Sequence, residues 1–174
     1  MVNNNMAAPR HVNAAGATAA FEPRSFKHFV RTPSAPGAEG AENAESTILT
    51  TLRTYAALGG VATGDQLAAM LRLKEGQPVS VIARWIVNDE ALSFQALSHT
   101  LLPLFQFDLE RGVLRPGVRE VLREWAGALD EWELADWFVR ANALLAGRAP
   151  ARALLEGDVD AVREAARADR FIVV

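Results

Sequence analysis

The spacing of apolar residues predicts a mainly helical chain from Ser46 onward. A first helix is predicted in "STILTTLRTYAALGG", where one face carries Ile48, Leu49, Leu52, Tyr55 and Ala56. A second follows in "TGDQLAAML", where Thr63 and Gln66 have the spacing of a capping box and the apolar stripe comprises Leu67, Met70 and Leu71. A third, "VSVIARWIVND", places on one side Val79, Ile82, Trp85 and Ile86. Three short helices in this order have the outline of a helix-turn-helix.

The pattern changes in "ALSFQALSHTLLPLFQFD". Leu92 and Phe94 alternate with polar residues, and the apolar run "LLPLFQF" follows after a short polar break. This alternation predicts a small β-hairpin, in which Pro103 confines its strand to an edge or a bulge. Gly112 marks the next turn.

Helical spacing returns after Gly112 and continues almost to the last residue given. Pro116 suits the first turn of a helix in "RPGVREVLREWAGALD", and Asp130 with Glu133 has capping-box spacing for the next. Pro150 opens a short helix, and "VDAVREAARA" forms the last one. The predicted fold class is therefore mainly α, with a degenerate helix-turn-helix-like unit, a small hairpin and a C-terminal helical part.

Residues 1–45 differ in composition from the rest. They are rich in Pro, Gly, Ala, Ser and Asn and poor in large aliphatic residues, so we predict that they are disordered. One island, "FEPRSFKHFVR", combines aromatic with basic residues and could serve as a short docking motif. The predicted domains are a disordered segment at 1–45, a helix-turn-helix-like unit with the first hairpin strand at 46–100, and a C-terminal domain at 101–174.

Composition excludes several functional classes. The chain has 174 residues, 50% of them hydrophobic, a net charge of −3 and no cysteine. Disulfide frameworks and thiolate chemistry are excluded, and three histidines far apart in sequence (His11, His28 and His99) offer little for a metal site. There is no signal-peptide pattern and no apolar run long enough for a bilayer, which predicts a cytoplasmic protein that does not enter membranes.

Neither catalysis nor DNA binding is supported by the pattern of polar residues. We find no nucleophile elbow, no P-loop and no dinucleotide fingerprint, so no catalytic residue and no cofactor are predicted. On the third helix the residues available to DNA would be Ser80, Arg84 and Asn88, which include one cation. Because phosphate neutralisation requires several cations, binding to DNA is expected to be weak or absent.

The C-terminal part resembles a known family. Its features are the aromatic strand "FQF", the helix start "RPGV", a W-x-x-x-x-W-F helix and an Asn before a Leu-Leu-x-Gly turn. They continue with Arg-x-Pro-x-x-x-Leu-Leu and a closing helix with Val and Ala-Ala. In this order the motifs are similar to those of the Xre/MbcA/ParS group of bacterial antitoxins, over roughly residues 63–174 and most closely in the toxin-binding domain.

The resemblance implies a non-enzymatic protein that binds and blocks a RES-type toxin, an NAD-degrading or ADP-ribosylating enzyme. The residues assigned to partner binding on this basis are Asn142, Arg148, Arg163, Arg167, Arg170, Phe171 and Ile172. A DNA-binding regulator and a homodimeric scaffold without a toxin are the alternatives, and an NAD-linked enzyme is a more distant one. A homo-oligomer is left open.

The apolar stretch "FIVV" after the last predicted helix has two interpretations. It could fold back, with Phe171 filling a gap beside Trp137 or Trp125. It could instead be held out for a partner, with Arg167 and Arg170 supplying charge-assisted hydrogen bonds.

Overall fold

The first helix is longer than its sequence pattern predicts. The computed structural model describes residues 38–71, 78–96 and 98–173. Helix α1 comprises Ala38–Ala56 and so begins before Ser46. Alanine and glutamate, which favour helix, dominate the segment ahead of Ser46, "AEGAENAE". The structure thus places residues 38–45, which were predicted to be disordered, in this helix; residues 1–37, with the aromatic and basic island, lie outside the described residues.

The buried face of α1 is rotated relative to the predicted one. Thr51 and Tyr55 are buried, whereas Leu49 is exposed. Tyr55 sets this orientation, because its hydroxyl donates to the carbonyl oxygen of Ala135 at 2.8 Å and its ring stacks on Phe94. The hydrogen bond of this buried hydroxyl, rather than the stripe of apolar residues alone, therefore determines which face of α1 is buried.

A strand and two short helices follow: β1 (Val61–Thr63), α2 (Gly64–Met70) and α3 (Pro78–Val87). The predicted capping box is confirmed, since the Thr63 hydroxyl accepts from the Gln66 amide at 3.3 Å and the Gln66 side chain accepts from the Thr63 amide at 2.9 Å. The two helices pack around a smaller core that includes Leu67, Ile82, Trp85 and Phe107. Met70 and Val79 are exposed, contrary to prediction, because each lies at the helix end next to the link. That link, residues 72–77, is not described, so the helix-turn-helix stays a prediction.

Three short strands form an antiparallel sheet in the order β1–β3–β2. The predicted hairpin is confirmed by β2 (Phe94–Ala96) and β3 (His99–Pro103), in which Phe94 lies opposite Leu101. Strand β1 pairs with the other edge of β3. It was not predicted, because a strand of three residues is too short to show an alternation of apolar and polar positions. The rest of the predicted apolar strand is a 3₁₀ helix at Leu104–Gln106, followed by the paired strands β4 (Phe107–Asp108) and β5 (Val113–Leu114).

Helices complete the described fold: α4 (Val118–Glu124), α5 (Glu131–Val139), a 3₁₀ helix (Ala143–Leu145), α6 (Pro150–Leu155) and α7 (Val159–Val173). The predicted capping box of α5 is confirmed, because Asp130 accepts from the Glu133 amide at 2.8 Å and Glu133 accepts from the Asp130 amide at 2.9 Å. Pro150 opens α6 as predicted. Pro116 does not enter a helix, because the N-cap of α4 is Gly117, whose φ of 86° few other residues adopt.

The larger core lies between the three-stranded sheet and the C-terminal helices. Its bulkiest side chains are those of Tyr55, Phe94, Phe105, Trp125 and Phe138. Gln106 is also fully buried; its amide accepts from the Leu92 N–H and donates to the Leu92 carbonyl, both at 2.8 Å. All described residues belong to one compact unit, and the predicted division between residues 100 and 101 falls within β3. The mainly helical class with a small hairpin is thus confirmed, whereas a separate toxin-binding domain stays a prediction.

Candidate protein-interaction site

Helix α7 extends through most of the apolar stretch that the sequence left in question. Phe171, Ile172 and Val173 form its last described turn, and their exposed fractions are 88%, 83% and 55%. The interpretation in which Phe171 fills a gap beside Trp137 or Trp125 is therefore wrong. Those two tryptophans pack edge-on against each other, with ring centroids 5.2 Å apart.

Helical geometry explains why Phe171 faces outward. The side of α7 that enters the core carries Val162, Ala165 and Ala166. Phe171 comes nine residues after Val162, which corresponds to roughly half a turn of rotation at 3.6 residues per turn. A helical continuation of α7 thus places Phe171 on the solvent side.

The solvent side of α7 is an open face that ends at Phe171. The residues that line it are Asp160, Arg163, Glu164, Arg167, Ala168 and Phe171. Acidic and basic residues alternate along it, and Asp160 lies 3.5 Å from Arg163. This face therefore carries charges of both signs with a net charge near zero over most of its length, and it is apolar at the end that carries Phe171.

Two arginines fasten α7 to the C-terminal end of α4. Arg167 Nε donates to Glu124 Oε1 at 2.9 Å, and Arg170 donates to the backbone carbonyls of Glu124 and Ala126 at 2.5 and 3.3 Å. Carbonyl groups at a helix end have no partner within the helix, and a nearby arginine satisfies them. The hydrogen bond from Arg167 also lowers the pKa of Glu124, which keeps this carboxylate charged.

The opposite side of α7 is fastened to two further elements through Asp169. Asp169 Oδ2 accepts from Trp137 Nε1 of α5 at 2.8 Å and from Asn142 Nδ2 at 2.6 Å. The Asn142 Oδ1 atom in turn accepts from the Leu144 amide at 2.9 Å, which shapes the 3₁₀ turn after α5. The turn before the exposed residues is consequently held on both sides.

The structure distributes the sequence-assigned partner residues in three ways. Arg163, Arg167 and Phe171 share the open face of α7, and Ile172 adjoins it. Asn142 and Arg170 make the intramolecular bonds described above. Arg148 lies apart, bridging Glu156 and Asp158 at 2.6 Å each near the start of α7. The sequence reasoning missed Asp169, because its partners are distant in the chain, and the exposed Leu144, which belongs to a tight turn.

The face of α3 that a DNA-binding protein would use is poor in charge. Ser80, Arg84 and Asn88 are exposed, as predicted, but so are Val79 and Val87. Arg84 is the only cation in this helix. A surface of this kind can neutralise few phosphates.

Other kinds of site find no support in the described residues. Within them no group of His, Cys, Asp and Glu side chains is placed to hold a metal ion. Of the helices in this part of the chain, none has the length and apolar character needed to cross a bilayer. The chain matches no protein-family model, no curated protein and no solved structure with which it was compared.

Replacing Arg170 with alanine is expected to lower the free energy of unfolding by about 1–2 kcal/mol, because two carbonyl groups at the end of α4 lose a charged donor. For a chain of this size that corresponds to a fall in Tm of roughly 3–6 °C. Arg152→Ala is a suitable control, since Arg152 is more exposed and pairs with Glu156 of the same helix end. Equal melting of the two variants would contradict the prediction.

Proposed function

We propose that this chain is a non-enzymatic interaction protein, an antitoxin that binds and blocks a RES-type toxin through the end of α7. The observation that carries the proposal is the exposure of Phe171, Ile172 and Val173 on a helical turn that is fixed to its neighbours. Large apolar side chains grouped at one exposed point are typical of a protein-binding surface. The resemblance to Xre/MbcA/ParS antitoxins supports a toxin as the partner.

Burial of these side chains would supply much of the binding free energy. Transfer of a Phe or Ile side chain from water into an apolar pocket contributes roughly 1.5–3 kcal/mol. Residues that dominate interfaces are commonly aromatic, and amphipathic helices bind by laying such anchors into a groove. Phe171 and Ile172 are therefore the proposed anchors, with Arg163 and Arg167 beside them on the rim.

The proposal is tested first by the genetic neighbourhood and then by direct titration. A RES-type reading frame should lie beside the gene for this chain, and its purified product should consume NAD unless this protein is added. Phe171→Ala combined with Ile172→Ala should raise the Kd for that toxin about 100-fold, in line with a loss of about 3 kcal/mol. The Tm should stay within about 2 °C of the wild type, because the two side chains are exposed.

A matched control uses two exposed apolar residues elsewhere, Val79→Ala with Val87→Ala on α3. This pair should leave toxin binding unchanged. If it weakens binding and the α7 pair does not, the contact surface lies on α3 and the proposal is wrong. Sedimentation of the wild type and the α7 variant adds a further check: self-association lost in the variant would assign this surface to a second copy of the chain instead.

A further inference from the structure

The last turn of α7 is held by Arg170 on the side of α4 and by Asp169 on the opposite side. Both hydrogen bonds to the Asp169 Oδ2 atom come from other elements, one from α5 and one from the segment that precedes the 3₁₀ helix. An anionic acceptor makes stronger hydrogen bonds than a neutral one, and these bonds are partly shielded from water. Asp169 therefore attaches the turn to two neighbouring elements that lie 32 and 27 residues earlier in the chain.

This attachment lies where the helix would otherwise open most easily. The final turn of a helix has few partners for its backbone, and here Phe171 and Ile172 gain almost no burial from the rest of the protein. In an α-helix the amides of residues 170–173 donate to the carbonyls of residues 166–169. Fixing residue 169 thus fixes the end of the acceptor set on which the exposed turn depends.

We infer that Asp169 is a positioning residue for binding: through Trp137 and Asn142 it keeps Phe171 and Ile172 on a preformed helical turn. This inference rests on the proposed function and adds that the partner recognises the helical form of the turn. A partner that binds this form binds more weakly when only a fraction of the molecules adopt it, and its apparent Kd rises as that fraction falls. The carboxylate at position 169 accepts both hydrogen bonds, and an apolar residue there would accept neither.

The first test needs no partner. In Asp169→Ala, hydrogen exchange of the amides of residues 170–173 should become about tenfold faster, whereas exchange in α5 and in the core strands should stay as in the wild type. Asp169→Asn keeps an acceptor oxygen and should give an intermediate rate. The control is Asp65→Ala, which removes an exposed carboxylate from the first turn of α2, and it should leave residues 170–173 unchanged. Unchanged exchange in Asp169→Ala overturns the inference.

The second test measures Kd for the purified RES-type toxin with the same variants. Asp169→Ala should raise the Kd about three- to tenfold, Asp169→Asn should recover part of the loss, and Asp65→Ala should bind like the wild type. Faster exchange at residues 170–173 with an unchanged Kd overturns the positioning role. A wild-type protein that does not bind the toxin refutes the proposed function instead, and the exchange measurement then decides by itself whether Asp169 holds the turn.

Discussion

Replacing Gly117 with alanine should destabilise the protein by about 3–4 kcal/mol. Gly117 has a φ of 86°, which strains any residue with a Cβ atom, and that atom would lie 2.4 Å from Cγ1 and 2.8 Å from Cγ2 of Val159. Val159 is the first residue of α7. The close approach of Gly117 to it therefore sets how the start of α4 packs against that helix. Neither the backbone nor the branched side chain can move away without opening this junction.

Two further variants separate the strain from the collision. Gly157→Ala has a similar φ of 91° but no atom within 4 Å of the new Cβ, so it should lose only about 1–2 kcal/mol. Val159→Ala in the Gly117→Ala background removes both colliding methyl groups and should recover part of the loss. Each effect is measured by chemical denaturation, with one common slope of unfolding free energy against denaturant concentration for all variants. Equal losses in the two glycine variants would show that the approach to Val159 is unimportant.

Replacing Gln106 with leucine should lower the free energy of unfolding by about 4 kcal/mol. The leucine fits a similar volume but leaves the buried N–H and carbonyl of Leu92 without the partners that Gln106 supplies. Each unsatisfied buried group costs about 1–3 kcal/mol. Thermal and chemical unfolding should both show the loss.

Gln95 offers the control for this substitution. It is exposed on β2 and its side chain donates to Thr100 Oγ1 at 2.6 Å, so Gln95→Leu should change stability by no more than about 0.5 kcal/mol. Gln106→Glu keeps an acceptor for the Leu92 amide but loses the donor, and it should also be strongly destabilising. A Gln106→Leu protein as stable as the wild type would mean that water reaches the Leu92 backbone.

Features of the fold that depend on neighbouring residues were predictable from the sequence. The capping boxes of α2 and α5 and the β2–β3 hairpin each follow from residues a few positions apart, whose interaction does not need the rest of the chain. Strand β1 was missed because its pairing with β3 joins segments far apart in sequence. The orientation of α1 was missed for the same reason, since Ala135 supplies the acceptor for Tyr55.

The candidate site was predictable only in its most unusual part. Four consecutive apolar residues after a charged helix drew attention to Phe171 and Ile172, but their sequence fits burial and exposure equally well. For Phe171 the rotation along α7 decides between them, and that rotation is set by small residues such as Ala165 and Ala166 that fit against the core. Ile172 is also exposed, on the last described turn. The role of Asp169 could not be read from the sequence, because its two donors come from separate elements.

The hydrogen bond from Tyr55 to Ala135 gives the protein a built-in optical probe. Tyr55 is the single tyrosine in the sequence, and burial, reinforced by the nearby carboxylate of Asp136, raises the pKa of its phenol well above the ordinary value. In the unfolded chain the phenol ionises near pH 10, so the stabilisation from its neutral, buried state is complete below about pH 10 and is lost as the solution becomes more alkaline. The ultraviolet absorbance of phenolate should therefore rise together with the loss of helical circular dichroism, so that one unlabelled side chain reports the separation of α1 from α5 in real time.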